Sequence, residues 1–209
     1  MPVNAEIQPG AQETTPAGLT VLIVIASSAG GVAALAEIFD RLPSDLPVAI
    51  AIVQHIDPIR QSRLPEILGR HTAMTVKGAE HGDHIRAGTV YIATPDYHLL
   101  VCQDATLELS HRAQVRFSRP AADHLFESAA EHYRGKVIAV VLTGMGQDGS
   151  QGIGAVHQAG GTVIVQDPET AQSASMPASA IQTGVVDHIV PLDKIADTIV
   201  AVLETGDVT

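Results

Sequence analysis

The chain has 209 residues, enough for one substantial core and short for two full domains. Lys and Arg total 12 against 23 Asp and Glu, a formal net charge of −11, which argues against nucleic-acid or anionic-membrane binding because phosphate-tracking surfaces carry the opposite sign. The single cysteine, Cys102, excludes an internal disulfide framework, and no apolar run approaches the ~20 residues of a membrane span.

The stretch from Met1 to about Gly18 holds Pro2, Pro9, Gly10 and Pro16 without periodicity and reads as a flexible leader or linker. It lacks the basic and apolar regions of a signal peptide, so a cytoplasmic location is the expectation. Val21 to Ile25 is a continuous apolar run, the pattern of a strand buried on both faces. The small residues Ala26 to Gly31 break it, and Leu35, Ile38, Phe39 and Leu42 then recur at helical spacing until Pro43. A serine at such a strand–turn–helix corner stands clear of the sheet near the positive end of a helix. Two chemistries use that placement: an activated serine nucleophile and a phosphate cradle.

Leu46 to Val53 predicts a second buried strand ending at Gln54-His55. Ser62 is a candidate cap for a helix with Leu64, Ile67 and Leu68 inward and Pro65 in its first turn. From about 72 to 109, short runs separated by Gly82-Asp83, Gly88, Pro95-Asp96 and Gln103-Asp104 predict short antiparallel strands as an edge extension or small side sheet. Cys102 falls in an apolar run and reads as a buried thiol, while His81 and His84 read as solvated turn residues rather than metal ligands. His98 reads as a strand histidine near the site entrance.

Ser118-Arg119-Pro120 opens a predicted helix with Leu125, Phe126, Ala129, Ala130 and Tyr133 on one face. Val137 to Leu142 is another buried strand. It leads into the glycine-rich loop from Thr143 to Gly149, then a helix from about Ser150 to Gln158 and a strand from Thr162 to Val165. A short helix after Met176-Pro177, a strand from Val185 to Val190 and a helix from Leu192 to Leu203 complete the chain. Buried strands alternating with helices predict an α/β domain over about 19–205, a mostly parallel sheet covered on both faces, followed by a tail at 206–209.

Ligands of open α/β sheets bind outside the carboxyl ends of the strands. Ser28, His55 and Asp148 follow three different strands at that edge. A serine hydroxyl needs an imidazole to accept its proton, and the imidazole needs a carboxylate to fix its tautomer. The order Ser, His, Asp and the absence of G-x-S-x-G set this apart from the common lipases and esterases. Ser27 competes with Ser28, and Asp148 also reads as a cap for the helix that begins near Ser150. Arg119 and Asp123 read as a structural ion pair or cap. The competing class is a non-catalytic phosphate- or nucleotide-binding or docking module, although G-x-G-x-x-G is absent and Gln54-His55 closes the second strand where an acidic residue is expected.

Several motifs carry a resemblance: Ala26-Ser-Ser-Ala-Gly-Gly31, Val53-Gln-His55, Tyr91-Ile-Ala-Thr-Pro-Asp-Tyr-His98, Ser118-Arg-Pro-Ala-Ala-Asp-His-Leu-Phe126, Val141-Leu-Thr-Gly-Met-Gly-Gln-Asp-Gly149 and Ser175-Met-Pro177. In this order, the chain from about Val21 to Leu203 resembles the chemotaxis protein-glutamate methylesterase catalytic domain. The resemblance implies a doubly wound fold, with Ser28 as nucleophile, His55 as base and Asp148 as the orienting carboxylate. It implies an oxyanion loop at Met145 and Gly144, with Ala29 beside the nucleophile. The implied reaction is hydrolysis of glutamyl methyl esters on the cytoplasmic helices of chemoreceptors, with deamidation of receptor glutamines by the same route, no cofactor and no metal. Ala29 stands where many relatives have threonine, and Ala121 where serine is usual. Only 20 residues precede Val21, too few for the receiver domain of many relatives. A stand-alone esterase, a domain controlled by a separate regulatory or receiver protein, or a fragment is therefore expected.

Overall fold

The computed structural model describes residues 21–55, 63–115 and 118–206. Seven parallel strands form one sheet in the order β3-β4-β2-β1-β7-β8-β9. They are β1 (Val21–Ser27), β2 (Val48–Gln54), β3 (Thr75–Gly78), β4 (Thr89–Ile92), β7 (Val137–Val141), β8 (Thr162–Gln166) and β9 (His188–Val190). From the central β1 the chain winds outward through β2 to one edge, then returns to β7 on the other side of β1. The sheet is therefore doubly wound, with its switch point between β1 and β7. All seven residues of β1 and all seven of β2 are buried, which is why their sequences are continuously apolar rather than alternating.

The pleat sends alternate side chains to opposite faces. Val21, Ile23 and Ile25 pack with α1 (Gly31–Arg41), α2 (Leu64–Leu68) and α6 (Ile195–Thr205). Leu22, Val24 and Ala26 pack with α3 (Ala122–Tyr133), α4 (Gly152–Gln158) and α5 (Ser175–Ile181). Each fully buried large side chain, such as Phe39 on the first face or Phe126 on the second, contributes roughly 1.5–3 kcal/mol.

The antiparallel extension is smaller than the sequence suggests. Among the strands of the described residues, only β5 (His98–Val101) and β6 (Leu107–Ser110) pair antiparallel, as a two-stranded ribbon joined to α3 by the Val101 N–H donating to Ser128 Oγ at 3.0 Å. β3 and β4, equally short in sequence, join the main sheet in parallel. Their length reflects a position at the edge, not an antiparallel partner. The α2 helix spans only five residues from Leu64, and Ser62 lies outside the described residues. α3 begins at Ala122, after a cis Arg119–Pro120 peptide rather than at Pro120. Cys102 lies just past β5 and is half-buried. Among the described residues no helix is long and apolar enough to cross a membrane.

Candidate active site

Ser28 follows β1, His55 follows β2, and Asp148 lies in the loop after β7, so the three sequence candidates reach the sheet's carboxyl edge beside the switch point. Two of them meet directly. The His55 Nε2 and the Asp148 Oδ2 are 2.7 Å apart, with their side chains 20% and 9% exposed. An ionised carboxylate only accepts, so this bond places a ring proton on Nε2.

Asp148 has a second task that its sequence position conceals. The expected cap of the helix near Ser150 is not formed. Asp148 instead crosses to the start of α3. Its Oδ2 accepts the Ala122 N–H at 2.7 Å and its Oδ1 the Asp123 N–H at 3.1 Å, while the Gly149 N–H adds 3.0 Å to Oδ1. Cap and histidine partner coexist because the carboxylate offers lone pairs on both oxygens. Burial works against its charge. The His55 ring and the amides of Ala122 and Asp123 outweigh it and hold the carboxyl below the ordinary aspartate range.

Asp123 makes the reciprocal contact. Its Oδ1 accepts the Gln151 and Gly152 N–H groups at 3.0 and 2.9 Å, at the start of α4. It is a cap; Arg119 donates to Asp96 Oδ1 through Nε at 3.0 Å and a terminal nitrogen at 2.6 Å. His98 is fully buried behind this corner. Its Nδ1 accepts the Ala121 N–H at 3.2 Å and its Nε2 donates to the Ala113 carbonyl at 3.1 Å. Burial, followed by lesser influences, pushes its pKa below the usual histidine value.

The two serines of the turn are distinguished by their surroundings. Ser27 is buried, at 1% exposure, and its hydroxyl donates to Gln54 Oε1 at 2.7 Å. Ser28 is half-buried, and no hydrogen bond of its hydroxyl occurs among the described residues, to His55 or to any other group. Its backbone is held firmly: the Ser28 N–H donates to the Thr143 carbonyl at 3.0 Å and its carbonyl accepts the Gly31 N–H at 2.8 Å. Gly30 makes the corner at φ 82°, in the left-handed region. A Cβ on Gly31 would stand 2.7 Å from Ser27 Cβ, so the first helical residue has no room for a side chain.

The glycine-rich loop lies against the Ser28 turn. A Cβ on Gly144 would be 2.8 Å from Ser28 Cβ. The Gly144 N–H is committed to the Ser173 carbonyl at 3.0 Å, and the Thr143 N–H to Gln166 Oε1 at 2.8 Å. The His55 N–H is also taken, by the Ser27 carbonyl at 3.0 Å. Among the described residues, the Ala29 and Met145 amides beside Ser28 have no acceptor. The Thr143 hydroxyl donates to the Ala29 carbonyl at 2.9 Å and accepts the Ser173 N–H at 2.9 Å, which fixes both loops.

Sequence reasoning missed Gln54, Thr143 and Gln166 as parts of this frame. The available signal was a polar residue closing an otherwise apolar, buried strand, since such a residue needs partners at the strand end. The sequence marks Asp123 as a cap or ion-pair member, and its exchange with Asp148 follows from α3 and α4 packing side by side.

A doubly wound sheet with a histidine–carboxylate pair and a turn serine at its switch point defines an α/β domain with the parts of a serine hydrolase. The chain belongs to the CheB methylesterase family, whose model matches residues 23–199. A Leptospira interrogans protein, provisionally named a protein-glutamate methylesterase/protein-glutamine glutaminase, is 44% identical over 84% of this chain and 91% of its own length. The Pyrococcus horikoshii protein-glutamate methylesterase/protein-glutamine glutaminase is 38% identical over 88% of this chain but only 51% of its own, so the chain spans about half of that relative. Among solved structures, the Thermotoga maritima CheB methylesterase catalytic domain matches with a TM-score of 0.84 and 39% identity, over 87% of this chain and 98% of that one.

Proposed function

We propose that this protein is a protein-glutamate methylesterase that hydrolyses glutamyl methyl esters on the cytoplasmic helices of chemoreceptors. In this reading Ser28 is the nucleophile, His55 the general base and Asp148 the carboxylate that orients it. The observation that carries the reading is the 2.7 Å His55–Asp148 bond at the same sheet edge as Ser28. A phosphate cradle requires no such pair.

The chemistry follows from the placement. Ser28 Oγ attacks the side-chain ester carbonyl while His55 Nδ1 takes its proton. Asp148 keeps the other ring proton on Nε2 and stabilises the imidazolium. The oxyanion of the tetrahedral intermediate is received by the Ala29 and Met145 amides. Preorganised donors of this kind are worth about 10²–10³ in rate. Collapse expels methoxide, which leaves as methanol with the proton from His55. Water then attacks the acyl-enzyme by the reverse proton path and releases the glutamate carboxylate. An amide in place of the ester gives ammonia and the same carboxylate, which is the deamidation of a receptor glutamine.

The test is methanol release from a peptide bearing a glutamyl γ-methyl ester, together with labelling by a fluorophosphonate. Parent protein is expected to release methanol and to label at Ser28. Ser28→Ala is expected to abolish both while melting as the parent does. Retained turnover in Ser28→Ala overturns the proposal.

A further inference from the structure

We infer that Gln54, through its side-chain NH₂ group, is the positioning residue that sets the separation between Ser28 and His55. The inference rests on the reading of those two residues as nucleophile and base. Their side chains make no hydrogen bond to each other, so their distance is fixed by the backbones that carry them.

Gln54 is where those backbones meet. Its Nε2 donates to the Ser28 carbonyl at 2.9 Å and to the His55 carbonyl at 2.9 Å. Its Oε1 accepts the Ser27 hydroxyl at 2.7 Å. Both amide protons and one carbonyl lone pair are therefore used, and the side chain is buried, at 4% exposure. Ser27 and Gln54 are register partners at the ends of the adjacent parallel strands β1 and β2. One amide thus spans the gap that opens where the two strands diverge into their turns.

The geometry also shows why glutamine fits. Two carbonyl oxygens converge on one nitrogen, which must supply two protons without bringing a charge into a buried site. A hydroxyl supplies one proton. A buried ammonium supplies three but requires a counter-charge. The strand alternation sends Gln54 to the α1 face together with Ser27, and leaves Ser28 and His55 one residue further on. The amide therefore holds the peptide carbonyls of the reacting residues and does not itself enter the substrate's space.

A group that acts this way changes the chemical step more than binding. Misplacing reacting groups by about 1 Å costs on the order of 10²-fold. In the 209-residue protein, Gln54→Met keeps the length of the side chain and removes every polar side-chain N and O atom, and Gln54→Glu keeps an acceptor for Ser27 but withdraws the two-proton donor. Both are expected to lose about 10- to 100-fold in kcat for the γ-methyl-ester peptide, with KM little changed, and to slow fluorophosphonate labelling of Ser28 by a similar factor. Labelling forms the Ser28 Oγ–P bond, expels fluoride and passes the serine proton to His55, so it reads the same separation without a substrate-binding step. Ser27→Ala, which removes only the Oε1 partner, is expected to lose much less. Rates are compared well below each variant's melting temperature and per folded molecule by circular dichroism.

If Gln54→Glu folds, melts lower and still keeps the parent kcat and labelling rate, Gln54 is only a structural amide and the inference is wrong. It is equally wrong if Ser27→Ala loses as much rate as Gln54→Met. If Ser28→Ala turns over normally, the nucleophile assignment itself has failed, which separates that outcome from a failure confined to Gln54.

Discussion

The sharpest consequence of the site concerns Asp148→Asn. The carboxylate accepts four N–H groups: His55 Nε2 and the Ala122 amide on Oδ2, and the Asp123 and Gly149 amides on Oδ1. Asparagine has one oxygen, so two of those N–H groups must face its NH₂. Each buried donor left without an acceptor costs about 1–3 kcal/mol, and with two of them the variant is expected to lose roughly 2–6 kcal/mol of stability. If the NH₂ faces His55, the ring keeps its bond only by accepting at Nε2. Its proton then moves to Nδ1, the nitrogen that receives the serine proton in the proposed mechanism. A wrong tautomer of this kind lowers turnover by about 10⁴, or ~5.5 kcal/mol of barrier. The assay is kcat/KM for methanol release, paired with thermal melts of the same samples. A variant that loses stability but keeps kcat/KM within about tenfold of the parent would show that Asp148 serves α3 alone.

Three further outcomes follow from the same contacts. Because the folded Asp148 carboxyl lies below its unfolded value of about 3.9, its contribution is complete above that pH and is lost as pH falls through the folded pKa; melts from pH 2.5 to 7 should show this acid loss, and Asp148→Asn should lack its share. His98 is held below its ordinary value chiefly by burial, so the parent should lose stability as pH falls below about 6.5 towards the folded pKa, and His98→Asn, which keeps an acceptor near the Ala121 N–H, should flatten that part of the curve. Thr143→Val removes the hydroxyl between Ala29 and Ser173 at nearly constant volume; about 1–3 kcal/mol of stability and a measurable part of kcat should go together, and an unchanged kcat would detach Thr143 from the oxyanion loops.

Much of this protein was legible in its chain of residues. The continuous apolar runs at Val21–Ile25, Leu46–Val53 and Val137–Leu142 specify strands buried on both faces, because a parallel sheet covered by helices leaves no wet side. Ser28, His55 and Asp148 follow those strands at their carboxyl ends, so position offered them as candidates, while their roles came from the motif resemblance. The short strands were read less well. β3 and β5 have the same length, and nothing local distinguishes an edge strand of the main sheet from one arm of a ribbon; the choice depends on which partner is nearby in space.

Composition, periodicity and motif order determined the fold class, the strand ends and the candidate residues Ser28, His55 and Asp148, because these depend on interactions within a strand, a turn or a helix. Tertiary structure decided the rest. Ser27 is consumed by Gln54, a partner 27 residues away, which leaves Ser28 as the available hydroxyl. Asp148 caps the distant α3 rather than the adjacent α4, and Asp123 returns the contact. Gly144 spends its amide on Ser173, so among the described residues the amides near the Ser28 turn without an acceptor include those of Ala29, Gly30 and Met145. In each case a hydrogen-bonding group buried at the sheet edge must find a partner, and only the packing of separate elements determines which one it meets.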